Sequence, residues 1–211
     1  MTIPSIAPYP LPTEAELPTG RAAWRLDPAR AALLIHDMQR YFVGFFPDGE
    51  PIAGVRRNLA ALRESAAAAG VPVFYTAQPG GMSPAERGLL ADFWGPGMDT
   101  TARQREIVPE LAPAPRDRVL TKWRYSAFAR TDLAEQLRRL GRDQLVVGGI
   151  YAHVGVLMTA CDAFTQDIQP FLVADAVADF SAAEHRMALE YAAGRCARTL
   201  TTAHALAELA A

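Results

Sequence analysis

One lysine, Lys122, stands among 21 basic side chains; the other 20 are arginine. Arginine carries surface charge as well as lysine does, but its planar fork does not replace a compact, flexible ammonium at a chemical site. Chance survival at a surface position is the competing reading, and location decides between them. Lys122 directly follows Arg118 to Thr121, a short segment that reads as a strand. Asp37 directly follows an apolar run ending at His36, and Gln78 and Tyr151 lie two residues beyond runs ending at Thr76 and Gly149. A carboxyl group, an ammonium, an amide and a phenol at four strand ends could share acid–base work and hold an anionic ligand. Each also has a plainer reading. Asp37 could cap the next segment, Gln78 could bond a loop backbone, and Tyr151 could be core with its hydroxyl satisfied.

The elements that must position these groups are legible as short apolar runs and helical periods. Runs at 31–36, 71–76, 118–121, 144–149, 171–174 and 197–201 read as strands. Val55, Leu59, Leu62 and Ala66 predict a helix over 52–69, stopped at Gly70. Ser83-Pro84-Ala85-Glu86 combines a cap, Pro at the first helical position and a returning Glu, a helix start. Further helices are expected over 131–140, 154–166 and 181–193, with another at the C-terminal end, and residues 93–115 as a long loop with one helical turn. Residues 1–28 read as an extended arm packed on the body. Strands alternating with helices imply right-handed crossovers, hence a three-layer α/β fold with a mainly parallel, roughly six-stranded sheet. Such sheets bind ligands beyond the carboxyl ends of their strands, where all four groups fall.

Composition narrows the class of function. The chain has 211 residues, 50% hydrophobic and 21% charged, with net charge −2. Residues 1–211 fit one domain, with no linker or repeat, that buries about 70% of its unfolded surface. Near-neutral charge gives no reason to expect nucleic acid. No apolar run reaches the roughly 20 residues that span a bilayer, and the start lacks a secretory signal, so a cytoplasmic protein is expected. Cys161 and Cys196 are too few for a disulfide framework. There is no Gly-x-Ser-x-Gly elbow, no Walker loop and no paired His or Cys spacing for a metal; Gly95-Pro96-Gly97 lacks the third glycine of a dinucleotide loop. His36 alternates away from Asp37 and reads as core, Asp175 and Asp179 as caps or turn residues, and His153 opens a helix near the site.

Longer motifs now become informative. Leu34-Ile35-His36-Asp37-Met38-Gln39, Thr76-Ala77-Gln78-Pro79, Phe93-Trp94-Gly95-Pro96-Gly97, Thr121-Lys122-Trp123-Arg124-Tyr125-Ser126-Ala127-Phe128 and Gly149-Ile150-Tyr151-Ala152-His153-Val154-Gly155 resemble the isochorismatase family. The resemblance spans nearly the whole chain, including Asp175 to Ser181 and the Ile3-Pro4 start. Arg40-Tyr41-Phe42, Gly88-Leu89-Leu90 and Ile168 to Leu172 bring it nearest the phenazine-pathway branch, which hydrolyses 2-amino-2-deoxyisochorismate. Siderophore isochorismatases are the near alternative; many carry an aryl carrier domain, for which this chain is too short. The superfamily also includes cysteine amidohydrolases such as nicotinamidases, with an Asp-Lys-Cys triad. Asp37 and Lys122 match that triad, but its cysteine position matches Gly155, which removes the acyl-enzyme route. Cys161 lies six residues further on the same helix, on a different face.

The resemblance implies hydrolysis of an enolpyruvyl ether, begun by protonating its terminal methylene carbon. Asp37 is the implied general acid, with Lys122 as its catalytic companion. An ordinary Asp has a pKa near 3.9, so about one in a thousand is protonated at pH 7. Lys122 is therefore expected to hold a substrate carboxylate or ether oxygen rather than merely pair with Asp37, so that the bound anion offsets its charge. Arg87 is implied to take a carboxylate. Gln78, Tyr151 and the backbone near Gly155 would orient ring substituents, and Phe42, Trp94 and Tyr125 would wall the site. No metal or cofactor is implied; a small chorismate-derived substrate and a homodimer are.

Overall fold

A computed structural model describes residues 3–210. Met1, Thr2 and Ala211 of the expected 1–211 unit lie outside the described residues. Six strands, all parallel, form one sheet: β1 (Ala31–His36), β2 (Val73–Ala77), β3 (Arg118–Thr121), β4 (Gln144–Ile150), β5 (Gln169–Ala178) and β6 (Arg198–Leu200). Their spatial order is β3-β2-β1-β4-β5-β6. The helices are α1 (Arg40–Val43), α2 (Ile52–Ala68), α3 (Pro84–Arg87), α4 (Leu90–Trp94), α5 (Ala102–Arg105), α6 (Leu133–Arg139), α7 (Leu157–Thr165), α8 (Ala182–Arg195) and α9 (Thr202–Leu209). A π-helical turn, Ala152–Val156, joins β4 to α7.

The central strands β1 and β4 are buried along their whole length, because helices cover both faces. That is why they are continuous apolar runs rather than alternating ones. Successive β1 residues still point to opposite faces. Leu33 and Ile35 pack with α2 and α9; Ala32 and Leu34 pack with α6, α7 and α8. From β1 the chain proceeds outward through β2 to β3, and from β4 in the other direction through β5 to β6. The crevice beyond β1 and β4 is therefore the switch point where a parallel sheet opens for a ligand.

Two expectations need correction. β5 is longer than the run Phe171 to Ala174, because an irregularity against β4 between Val147 and Gly149 lets the strand resume pairing at Val177. The 93–115 stretch holds α5, the end of α4 and a 3₁₀ turn at Pro109–Leu111, each too short to show a hydrophobic period. In the arm, residues 3–28 contain one 3₁₀ turn, Glu14–Glu16, and are tied down at several points. Ile6 N donates to Phe45 O (3.3 Å) and Leu26 N to Glu208 Oε2 (2.9 Å). The Tyr9 hydroxyl accepts from Asp179 N (2.7 Å). No helix among the described residues is long and apolar enough to cross a membrane.

Candidate active site

Asp37 leaves the end of β1 with φ +51°, a left-handed conformation that Asp tolerates better than most side chains. This turn aims the carboxyl group across the sheet end toward β2 and β3. Pairing of Ile35 with Tyr75 puts Thr76 beside it, and pairing of Ala77 with Thr121 brings Lys122 within reach. Thr76 Oγ1 accepts from Asp37 N (3.0 Å) and donates to Asp37 Oδ1 (2.5 Å). Lys122 Nζ lies 2.8 Å from Asp37 Oδ2, and both side chains are almost fully buried. Burial alone raises the carboxyl pKa, but the Lys122 ammonium and the hydrogen bonds from Lys122 and Thr76 hold it below the usual carboxylate range. Lys122 thus pairs with Asp37 in the structure, and a buried ammonium needs such a partner.

His36 fills the space behind this pair. Its Nδ1 donates to Ile150 O (2.9 Å), and burial lowers its pKa to about 4, so the ring is neutral. Gly155 admits it: a Cβ at that position would lie 2.2 Å from His36 Cε1. His36 is thus a core residue packed against the site.

A cleft of about 610 Å³, counting the space it shares with solvent, begins at this pair. All nine residues singled out from the sequence line it: Asp37, Phe42, Gln78, Arg87, Trp94, Lys122, Tyr125, Tyr151 and Gly155. Their hydrogen bonds define what each can still do. The Tyr151 hydroxyl donates to Phe42 O (2.7 Å), so toward a ligand it can only accept. Trp94 Nε1 donates to the Tyr125 hydroxyl (2.8 Å), which leaves the phenolic proton of Tyr125 free. Gln78 is held by its backbone: its N–H donates to Gln39 Oε1 (2.8 Å) and its carbonyl accepts from Gln39 Nε2 (2.9 Å). Its side chain remains in the cavity. Phe180 packs against Tyr151 with ring centroids 4.5 Å apart and completes the aromatic wall.

Other candidates lie elsewhere. His153 is outside the cavity lining; its backbone N–H and ring Nδ1 donate to Asp179 at 2.6 and 2.7 Å. Asp175 Oδ1 accepts from Thr202 N and Oγ1 at the start of α9. Cys161 and Cys196 face each other at 3.6 Å, and neither lines the cavity. Sequence reasoning missed Thr76, Gln39, Arg124 and Phe180. Strand register could have found Thr76, which falls level with His36 and so beside Asp37 in the parallel pair; a further arginine among twenty gave no signal.

The isochorismatase domain profile matches residues 31–204. The chain is 59% identical over 200 residues to "Phenazine biosynthesis protein PhzD1" of Pseudomonas aeruginosa, covering 95% of this chain and 96% of that one. It is 54% identical over 210 residues to the "Isochorismatase" of Bacillus subtilis, covering 99% of this chain and 67% of the relative. Among solved structures it resembles a cysteine hydrolase from Pseudomonas syringae pv. phaseolicola, with TM-score 0.83 and 26% identity over 92% of this chain and 97% of the other.

Proposed function

The chain belongs to the isochorismatase family of hydrolases, and on that premise we propose that it cleaves the enolpyruvyl ether of 2-amino-2-deoxyisochorismate to pyruvate and trans-2,3-dihydro-3-hydroxyanthranilate. The observation that carries this reading is the buried Asp37 carboxyl at the inner end of a partly aromatic cavity with no cysteine in its lining. A vinyl ether needs one well-placed proton donor, whereas an amide hydrolase of this fold would need a nucleophile. The similarity to PhzD1 supports the amino substrate, and similarity to the Bacillus subtilis isochorismatase favours a second reading, isochorismate itself.

In the reaction, protonated Asp37 gives its proton to the terminal methylene carbon. The ether carbon becomes an oxocarbenium ion, water adds to it, and the proton released returns to the Asp37 carboxylate. The hemiketal then collapses to the ketone of pyruvate and the ring alcohol. Paired with Lys122, the Asp37 carboxyl is anionic, so substrate binding must change its state. The two negative charges that the substrate brings into the cavity raise the Asp37 pKa, and the filled cavity expels water that stabilises separated charges. Phe42, Trp94 and Tyr125 shield the cation-like intermediate from bulk solvent. We also propose, from the resemblance, that the enzyme acts in the cytoplasm as a homodimer without a metal or cofactor.

The test is hydrolysis in heavy water. The pyruvate methyl gains one solvent deuterium if carbon is protonated, and an unlabelled methyl excludes the mechanism. Comparing kcat/KM for the amino and hydroxy substrates separates the two readings.

A further inference from the structure

The cavity holds more positive charge than its own anion can balance. Asp37 and Lys122 cancel each other, which leaves Arg87 and Arg124 in the lining. Neither has a carboxylate partner among the described residues. Arg87 is only 6% exposed; its Nε donates to Gly95 O (2.9 Å) and its Nη1 reaches Gln78 Oε1 at 3.4 Å. Its guanidinium lies flat against Gly97, where a Cβ would stand 2.8 Å from Arg87 Cζ. Arg124 is held from the other side. Its Nη1 donates to Glu86 O (2.8 Å) and Trp123 O (2.5 Å), and its Nη2 stands 3.0 Å from where a Cβ on Gly88 would be. Two carbonyls fix one end of this guanidinium while its Nε and Nη2 have no protein acceptor among the described residues.

Burying the Arg87 guanidinium without an anion is costly, and the half-buried Arg124 guanidinium in the same cavity repels it as well. Burial indeed pushes the Arg87 pKa down, and Arg124 adds to the effect. Both arginines are nonetheless clamped by carbonyls and admitted by glycines. Such an arrangement is stable in use only if an anionic ligand completes it.

We propose that Arg124 is a second carboxylate-binding residue, so that the cavity selects a ligand carrying two carboxylates, one for Arg87 and one for Arg124. This deepens the reading above and rests on it for the identity of the reacting substrate, since an enolpyruvyl ether of a ring acid is such a dianion. The anion-selective cavity itself rests only on the two arginines.

The experiment uses two inert ring acids, 3-(carboxymethoxy)benzoate and its one-carboxylate counterpart 3-methoxybenzoate, with binding followed by calorimetry. The intact enzyme is expected to prefer the dianion by about tenfold or more, which corresponds to about 1.4 kcal/mol. Arg124→Gln should erase that preference while affinity for 3-methoxybenzoate stays within a few-fold, and Arg124→Lys should restore part of it. With the reacting substrate, Arg124→Gln should raise KM by more than it lowers kcat, as loss of uniform binding requires. An unchanged dianion preference in Arg124→Gln overturns the proposal; if that variant does not fold, an Arg124→Lys enzyme with the full preference and unchanged KM for the reacting substrate does so too. If the intact enzyme prefers the dianion but releases no pyruvate, the vinyl-ether reading fails and the dicarboxylate site stands.

Discussion

At the level of single side chains, the site turns on a buried carboxylate and its ammonium. Asp37→Asn keeps the shape and the Thr76 contact but has no acidic proton for carbon. Turnover should fall by about 10²–10⁴ with little change in KM, measured by coupled pyruvate release. Lys122→Met tests the electrostatics. In the intact protein Asp37 has a depressed pKa, so its contribution to stability is present above the unfolded value and is lost as pH falls through the folded one. Without the ammonium, burial dominates and the sign reverses: the folded pKa rises, and stability is lost as pH rises through it. The variant should therefore be weaker than the parent by about 3–5 kcal/mol at pH 7 and by much less at pH 4, read from urea unfolding. An equal loss at both values would show that the pair is not the source. Asp37, Lys122, Gln78 and Tyr151 were legible because each lies just beyond a short strand. Thr76 was not, because a β-branched hydroxyl residue inside a strand looks like ordinary strand sequence.

Among the elements, the π-helical turn Ala152–Val156 carries Gly155 into the cavity wall and is tied to the end of β5 through His153 and the fully buried Asp179. The hydrogen bond to Asp179 raises the His153 pKa. A raised folded pKa gives stability that is complete below the unfolded value and fades as pH climbs through the folded one. His153→Asn should thus cost more at pH 5.5 than at pH 9, by up to about 2 kcal/mol, again by urea unfolding. The strands and the long helices α2 and α8 were readable from apolar runs, periods and caps. The short helices α4 and α5 were not, because one turn has no period to detect. Of the two, α4 carries Leu90 and Trp94 into the cavity, so Trp94 was legible as a residue while the element that positions it was not.

Across the whole molecule, two apolar layers separated by one sheet hold the strand ends in register. Leu34 is fully buried between β1 and the α6–α8 layer. Leu34→Ala should destabilise by about 2–5 kcal/mol in urea or thermal unfolding, and near-neutral behaviour would mean that this layer repacks freely. The alternation of strands and helices fixed the fold class on sequence grounds, because parallel strands demand covered crossovers. It carried no information on how the arm would lie. That arm runs from Ile3, in the cavity lining, past Tyr9, whose ring and hydroxyl rest on His185 and Asp179. The amino-terminal end is therefore wired to the reaction chamber, while α9 rests against α2 on a sheet face. An environment-sensitive dye joined by a short tether ahead of Ile3 would report occupancy of the chamber as a change in emission. The same dye beyond α9 would stay silent, which gives a direct biosensor layout and a reason to place purification handles at the carboxyl terminus.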